Sequence, residues 1–344
     1  MDFRPVEYRG MVMTEEEILK LFYYKFTETP LLKRMDLVRD YFIDEWETLR
    51  GRNISDDDKL LLQQKFDKMY VTKDLYRIYC QLLEECGLDP LSGAEYERRK
   101  IPYEDVFPML YLKYRLEGGN HSHKNIKHLV IDEMQDYSRL QYLIIRRMFS
   151  CKMTILGDRA QTMADQQQDV LQFLPGIFGK DLRRIEMRKS YRNTVEIASY
   201  AANLIGVTDL ELFERHGMPV LERDVTDLEA ALREAVDTLF PEEKTYETAA
   251  VIVPDEKTAE RAYLILREIL AEKDFDCEKR LSWLNRDSSS FKKGLTVTTF
   301  YLAKGLEFDQ VFSIFPKDEK REMMMQAQYI AATRALHELR VYHI

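Results

Sequence analysis

Two adjacent carboxylates, Asp132 and Glu133, follow the apolar run Leu129-Val130-Ile131. Such a pair at the carboxyl end of a buried strand can divide two tasks: one carboxylate holds Mg²⁺, and its neighbour orients or deprotonates an attacking water. In an open parallel sheet, ligands bind just outside the carboxyl ends of strands. A strand that ends in a solvated acidic turn has the same local sequence, so the pair alone leaves both readings open. Gln135 and Asp136 stand behind it.

Four further groups follow in order. In Gly157-Asp158-Arg159-Ala160-Gln161 the glycine permits a tight turn, and the Gln161 amide can sense a phosphate or a water. Tyr191-Arg192 marks a strand-to-helix junction. Ala303-Lys304-Gly305-Leu306-Glu307-Phe308 lies between two apolar strands, and Ala331-Ala332-Thr333-Arg334-Ala335 closes a helix. Singly, each has a plain explanation: Arg192 as a surface cap, Lys304-Gly305 as a hairpin turn, Arg334 on a solvated helix face. All five in order are much harder to reach by chance than any one.

The elements that must position these groups fall into two styles. Residues 1–13 read as a short extended lead-in, and Thr14-Glu15-Glu16-Glu17 is a capping-box signal. Ile18, Leu19, Phe22, Tyr23 and Phe26 follow at helical spacing, then Leu31, Met35, Val38, Phe42, Trp46 and Leu49 form a second stripe. Leu60 to Tyr70 and Leu75 to Leu83 suggest two more helices, and no strand is expected before about residue 105. The aromatic stripes here read as core. A helix opens at Pro102 and stops at Gly118-Gly119-Asn120; His121-Ser122-His123 reads as a solvated loop, since no other ligand cluster accompanies it.

From there strands and helices alternate. Leu129–Ile131 and Met153–Leu156 read as buried strands around a helix from Tyr137 to Phe149, a β-α-β unit, with Leu182 to Met187 as a third strand. Residues 207–247 read as charged and partly helical. Ala249–Val253 starts a fresh α/β unit with a helix from Lys257 to Ala271. Residues 272–293 read as a polar connection. Leu295–Thr299, Gln310–Phe315 and Leu339–Tyr342 supply further strands, with a helix over Glu322 to Leu336.

Composition bounds the class. The 344 residues carry 45% hydrophobic and 32% charged side chains, a soluble globular profile, and no apolar run approaches the ~20 residues that span a bilayer. The N-terminus lacks a signal-peptide pattern, and the four scattered cysteines include no C-x-x-C pair, which fits a cytoplasmic location with reduced thiols. A net charge of −9 argues against a surface that is broadly a nucleic-acid glove; nucleic acid would then be bound in a local groove, through a part not in these residues, or not be the main partner. The same charge suits a basic protein partner or simple solubility.

In order and wording, these groups resemble the UvrD/Rep-type helicases of superfamily one. Ile131-Asp-Glu-Met-Gln-Asp136 resembles their Walker B motif, and Ile155-Leu-Gly-Asp-Arg-Ala-Gln161 the motif that couples ATP to nucleic acid. Ser190-Tyr-Arg-Asn193, Ala303-Lys-Gly-Leu-Glu-Phe-Asp309 and Tyr329-Ile-Ala-Ala-Thr-Arg-Ala335 match three later motifs. The resemblance runs from about residue 102 to the end. It implies an α/β fold of two RecA-like P-loop NTPase domains, the first incomplete, with an N-terminal all-α insertion module. Residues 1–13 would be the lead-in, 14–101 the helical insertion, 102–188 the remainder of the first RecA-like domain and 189–344 the second. It also implies ATP and Mg²⁺ as cofactors. Asp132 would bind Mg²⁺ and Glu133 activate water; Gln161 would contact the γ-phosphate or that water. Arg192 and Arg334 would act as arginine fingers, Glu307 would contact the ribose, and Gly305 would let the backbone approach the nucleotide.

Two departures from the family pattern matter. No G-x-x-x-x-G-K-[ST] phosphate loop is present; Gly179-Lys180 is followed by Asp181 and preceded by no suitable glycine. A C-terminal portion of a longer ATPase is expected on that ground, inactive alone, with natural degeneration as the alternative. In addition, Tyr301-Leu302 stands where the family has His-Lys, and the stretch from Arg192 to Lys304 is too short for the large domain that unwinding members insert there. Both features look most like the HelD branch, helicase-like ATPases that bind RNA polymerase and help release it from nucleic acid. The expected function is thus the motor portion of an ATPase that remodels RNA polymerase complexes. The alternatives are a DNA helicase translocating on single strands, with Phe300 and Tyr301 near a base-stacking path, and a non-catalytic binding module with a vestigial ATP cleft. No membrane partner is expected.

Overall fold

The computed structural model describes residues 1–119, 123, 125–158, 161, 170–187, 189–207, 211–243, 245–273, 276–286, 288, 293–317 and 322–344. Asn120, His121, Ser122, Arg159 and Ala160 of the groups above lie outside these. The chain divides into two compact units. One comprises residues 1–132, 137–155 and 171–180; the other comprises 133–136, 156–170 and 181–344.

The first unit opens with a small antiparallel hairpin, β1 (Val6–Tyr8) and β2 (Met11–Met13), where only an extended lead-in is expected from sequence. Arg9 and Gly10 both have positive φ (46° and 85°), the backbone that a two-residue hairpin turn with matching twist requires. Three-residue strands are too short for alternation to announce itself. Helix α1 (Glu15–Lys20) starts with the expected capping box on Thr14 and runs into a π-helical turn, Leu21–Lys25. Helices α2 (Leu31–Arg50), α3 (Asp56–Asp67) and α4 (Leu75–Glu85) follow. The α2 stripe Met35, Val38, Phe42 and Trp46 is buried against Phe22, Leu62 and Phe66, with the Tyr8 ring 5.3 Å from Trp46. Phe22, Phe42, Trp46 and Phe66 of the aromatic stripes are therefore core, as their spacing suggests, while Tyr23 is 46% exposed.

Helix α5 (Tyr103–Glu117) leads to β3 (His128–Ile131), α6 (Arg139–Met148), β4 (Lys152–Ile155) and α7 (Val170–Phe178). β3 and β4 pair in parallel, His128 opposite Lys152 through Ile131 opposite Ile155. They are not the buried strands expected: Val130 is 60% exposed, and β4 has no buried residue. A parallel strand is buried when neighbours and crossover helices cover both faces. Among the described residues this sheet has two strands, so its faces stay partly open.

The second unit is built on a six-stranded, all-parallel sheet. After β5 (Lys189–Ser190), α8 (Val195–Leu204) and β6 (Glu211–Leu212) come β7 (Leu221–Asp224), α9 (Leu228–Asp237), β8 (Thr248–Val253) and α10 (Glu256–Ala271). They are followed by α11 (Cys277–Arg280), β9 (Leu281–Trp283), β10 (Gly294–Thr299), β11 (Phe308–Phe315), α12 (Glu322–Thr333) and β12 (Ala335–His343). The order is β7-β12-β11-β8-β10-β9. Central strand β8 is buried from Ala249 to Val253, and its period of two splits those residues between two cores. Ala249, Val251 and Val253 face α9 and α10, while Ala250 and Ile252 face the core that includes α8 and α12 residues. Both edge strands escape a reading by hydrophobicity. β7 is Leu-Glu-Arg-Asp with every residue exposed, and β9 sits inside the expected polar connection. The expected strand Leu182–Met187 is absent. Alternation is confined to Ile185-Glu186-Met187, broken by Arg183-Arg184, and the whole run is exposed.

Candidate active site

Register brings two of the motif residues together. β11 and β12 begin with Phe308 opposite Ala335, so Glu307 and Arg334 are the residues that enter two neighbouring strands, and the Phe308 N–H donates to the Arg334 carbonyl at 2.9 Å. Asn193 is buried and fastens the Tyr191-Arg192 junction to the same place. Its side-chain amide donates to the carbonyls of Thr333 (3.2 Å) and Ala335 (2.7 Å), one on each side of Arg334. Arg215 adds a second tie, donating to the carbonyls of Arg192 and Leu336.

Arg334 is 1% exposed, so it does not lie on the solvated helix face that a local reading allows. Its Nε donates to the Ile330 carbonyl at 3.2 Å and its Nη2 to Thr333 Oγ1 at 3.1 Å, with Gln161 Oε1 at 3.5 Å. Burial, and then the Arg192 charge, hold its pKa below the usual guanidinium range, while Glu133, Glu307 and the Tyr329 phenol oppose the shift. Arg192 Nε meets Glu307 Oε1 at 2.7 Å, with the two side chains 47% and 42% exposed. Gly305 has φ 76°, a left-handed backbone that glycine alone adopts freely, and the space where a Cβ would stand is open.

The loop after β3 is tightly held. Glu133 itself has φ 51°, unusual for a residue with a side chain. Its carbonyl accepts the Asp136 N–H at 2.9 Å, and the Met134 N–H donates to the Leu156 carbonyl at 2.8 Å. Gln135, buried, donates its amide to the Glu133 carboxylate and accepts the Asp158 N–H at 3.2 Å. Asp158 Oδ2 then accepts from Gln161 Nε2 and from the Tyr329 hydroxyl, each at 3.0 Å. Burial and the Asp158 carboxylate push the Tyr329 phenol pKa up. Lys304 Nζ pairs with Asp136 Oδ1 at 2.7 Å. Bonds thus run without a break from Glu133 through Gln135, Asp158 and Gln161 to Arg334.

Of the expected site residues, Glu133, Gln161, Arg192, Gly305, Glu307 and Arg334 belong to the second compact unit; Asp132, exposed at the end of β3, belongs to the first. Gln135, Asn193, Lys304 and Tyr329 stand inside the motifs, but their partners emerge only from the fold; Arg215 carries no sequence signal at all. Phe300 is buried in the core of the second unit, and the Tyr301 hydroxyl donates to Glu256 at 2.9 Å, so Phe300 is not a base-stacking surface. An exposed aromatic face exists elsewhere: Tyr191 and Phe213 lie 5.7 Å apart, with Lys189 Nζ within 5.9 Å of both rings. A planar base can stack on such a face. Asp309 is structural. Burial raises its pKa, but donation to its carboxylate from the Glu247 and Thr248 N–H groups and the Thr248 hydroxyl outweighs this, leaving it below the usual range.

Among the described residues, no three His, Cys, Asp or Glu side chains cluster as a self-sufficient metal site. Mg²⁺ keeps several waters and takes one or two carboxylates plus substrate phosphates. Asp132 and Glu133 are the adjacent carboxylates that could supply the protein side of such a site.

Residues 37–163 match the family model of the UvrD/REP helicase N-terminal domain. The matched span is well under half of the chain, and it holds Asp132, Glu133 and Gln161. No curated protein matches the chain. Among solved structures, the C-terminal domain of a possible DNA helicase from Lactobacillus plantarum WCFS1 is 24% identical over 45% of this chain and 88% of that one, with a TM-score of 0.35. The PRRSV helicase is 16% identical over 78% of this chain and 45% of its own, with a TM-score of 0.35. Arterivirus nonstructural protein 10, a helicase, is 14% identical over 79% of this chain and 51% of its own, with a TM-score of 0.32. The chain thus spans about half the length of the two viral proteins. Likenesses at these scores carry no argument about the fold or function of this chain.

Proposed function

We propose that this chain carries the water-activating and arginine parts of the ATP site of a helicase-type motor. The observation that supports this most is that Glu133, Gln161, Arg192, Glu307 and Arg334, drawn from five separate motifs, fall in one compact unit. Arg334 lies within electrostatic reach of Glu133, Arg192 and Glu307. In this reading Glu133 orients and deprotonates the attacking water, with Gln135 fixing the carboxylate. Gln161 senses the γ-phosphate or that water. Arg192 and Arg334 stabilise the negative charge that phosphoryl transfer spreads over the γ-phosphate oxygens. Glu307 accepts from the ribose, and Gly305 leaves the backbone bare beside the nucleotide. Asp132 would hold Mg²⁺, which neutralises phosphate charge when bound. Residues 102–188 and 189–344 would form parts of two RecA-like domains, and 14–101 an inserted helical module.

The phosphate loop is not among these residues, so the chain alone is expected to turn over ATP negligibly; measurable turnover by the pure chain would contradict this. In a polypeptide that joins these residues to such a loop, Glu133→Gln should abolish turnover while nucleotide still binds, and unchanged turnover would remove Glu133 from its role.

Two finer readings stand on equal ground. Release of RNA polymerase from nucleic acid is favoured by Tyr301-Leu302 and by the all-helical module of α1 to α4. Translocation on single-stranded DNA is equally consistent with the UvrD/REP match. Capture of RNA polymerase by the joined protein, with feeble displacement of a tailed duplex, supports the first; strong displacement without capture supports the second.

A further inference from the structure

The first compact unit has one strongly basic end in a chain of net charge −9. From Gly118 to Ile131 and from Tyr137 to Gly157 there is no Asp or Glu, against six Lys or Arg. We propose that this end, where β3 and β4 begin, is a docking surface for an extended acidic segment of a partner protein, in which carboxylates alternate with aliphatic side chains. It lies at the opposite end of β3 from Asp132, roughly 13 Å away, and does not depend on the reading of the ATP site.

The fold gathers these cations. β3 and β4 begin with His128 opposite Lys152, and only Phe149 to Cys151 separate Lys152 from the last turn of α6, which holds Arg146 and Arg147. The chain leaving α5 runs against that turn: a Cβ at Gly119 would stand 3.0 Å from the Arg147 carbonyl oxygen, and one at Gly118 3.9 Å from Lys33 Nζ. Lys127, His128, Arg146, Arg147 and Lys152 are exposed. Among the described residues, none of these four Lys and Arg side chains meets a carboxylate. Three features favour a protein segment over nucleic acid. Rings at this end lie under cations rather than open to a base: Arg147 over Tyr111, Arg146 over Phe178, and His123 stacked on Phe149. Aliphatic side chains interrupt the charges, with Ile126 exposed beside Lys127 and Val130 on the open face of β3 with His128. A phosphodiester chain has nothing to cover them with, whereas an extended peptide presents alternate residues on one face about 7 Å apart, the repeat that separates His128 from Val130. Finally, a long polyanion meets the repulsion of the whole acidic surface, and a short segment meets this end alone.

The test is a fluorescence-anisotropy titration of the whole chain at low ionic strength with three labelled probes of equal charge: a peptide of alternating glutamate and valine, oligoglutamate, and oligothymidylate. The alternating peptide should bind most tightly. An exposed charge contact is worth about two- to fivefold in affinity, so Lys127→Glu combined with Lys152→Glu should weaken that peptide about tenfold at an unchanged melting temperature. Lys127→Gln with Lys152→Gln, a milder change should the reversal disturb folding, should weaken it about fourfold. Val130→Ser should cost the alternating peptide about threefold and leave oligoglutamate as it was. If the native chain binds no peptide, or if the glutamine pair binds the alternating peptide as the native chain does, the docking surface is overturned. Equal binding of the two peptides, or a Val130→Ser variant that changes neither, removes the aliphatic half of the assignment and overturns it. Oligothymidylate bound as tightly as the alternating peptide, and weakened by the same lysine variants, would make this end a nucleic-acid contact instead.

Discussion

Asn193 shows how one side chain can fix two others. Its amide spans the carbonyls on either side of Arg334 while its own backbone follows Arg192. The groups proposed to do chemistry stand out in the sequence because such chemistry dictates their types: paired carboxylates, a glutamine, two arginines, a glycine. The groups that hold them were not, because an amide donating to a carbonyl 142 residues away leaves no local pattern. Glu196 is of the same kind. It stands in the first turn of α8, accepts from the Gly217 N–H at 2.8 Å and meets His216 Nδ1 at 2.9 Å. The hydrogen bond with His216 is the main cause that takes its pKa down to about 2. A carboxyl whose folded pKa lies below its unfolded value of 4.5 contributes stability that is complete above the unfolded value. That contribution is lost as pH falls toward the folded value. Thermal melts of Glu196→Gln should therefore lie below the native chain at pH 6. The difference should shrink as pH drops from about 4.5 toward about 2. A gap that persists unchanged at pH 2 would show that the carboxylate charge is not its source.

The elements that carry the site were mostly readable where burial is complete. Strand β8, with five consecutive buried residues, and α10 beside it appear within a residue of where the pattern puts them. Polar edges were not readable: β7 and β9 earn their place through backbone pairing with β12 and β10, to which side-chain hydrophobicity is blind. The turn after β4 depends on one glycine. A Cβ at Gly157 would stand 2.5 Å from Gln135 Oε1, 2.5 Å from Met134 Cγ and 2.6 Å from the Met134 backbone nitrogen. Backbone cannot yield as a flexible side-chain end can. Gly157→Ala should thus push the Met134–Gln135 segment off its present course and cost about 1–3 kcal/mol. Hydrogen exchange should report this as lost protection of the Asp158 amide, which Gln135 now accepts. Retained protection there would mean that the loop tolerates the methyl group.

At the scale of the whole chain, composition excluded more than it identified. No helix among the described residues is long and apolar enough to cross a membrane, and a net charge of −9 leaves a purely basic nucleic-acid surface out of account. The sequence leads to an expectation of a helical module and two α/β domains; the structure divides into two compact units, in which residues 133–136 and 156–158 belong with the second unit rather than with the strands they follow. Residues of the water-activating loop thus pack with the arginines they are proposed to serve. Lys304 to Asp136 and Tyr329 to Asp158 are the bonds that hold them there. The central claim, that these groups form the catalytic part of an ATP site, is tested most directly at Arg192, which is exposed enough to be replaced without harm to the core. The measurement is steady-state ATP turnover by a polypeptide that joins this chain to a phosphate loop, native against Arg192→Ala, with melting temperatures compared in parallel. The account predicts a fall of about 10³-fold or more in turnover at an unchanged melting temperature. Turnover equal to that of the native protein would contradict it.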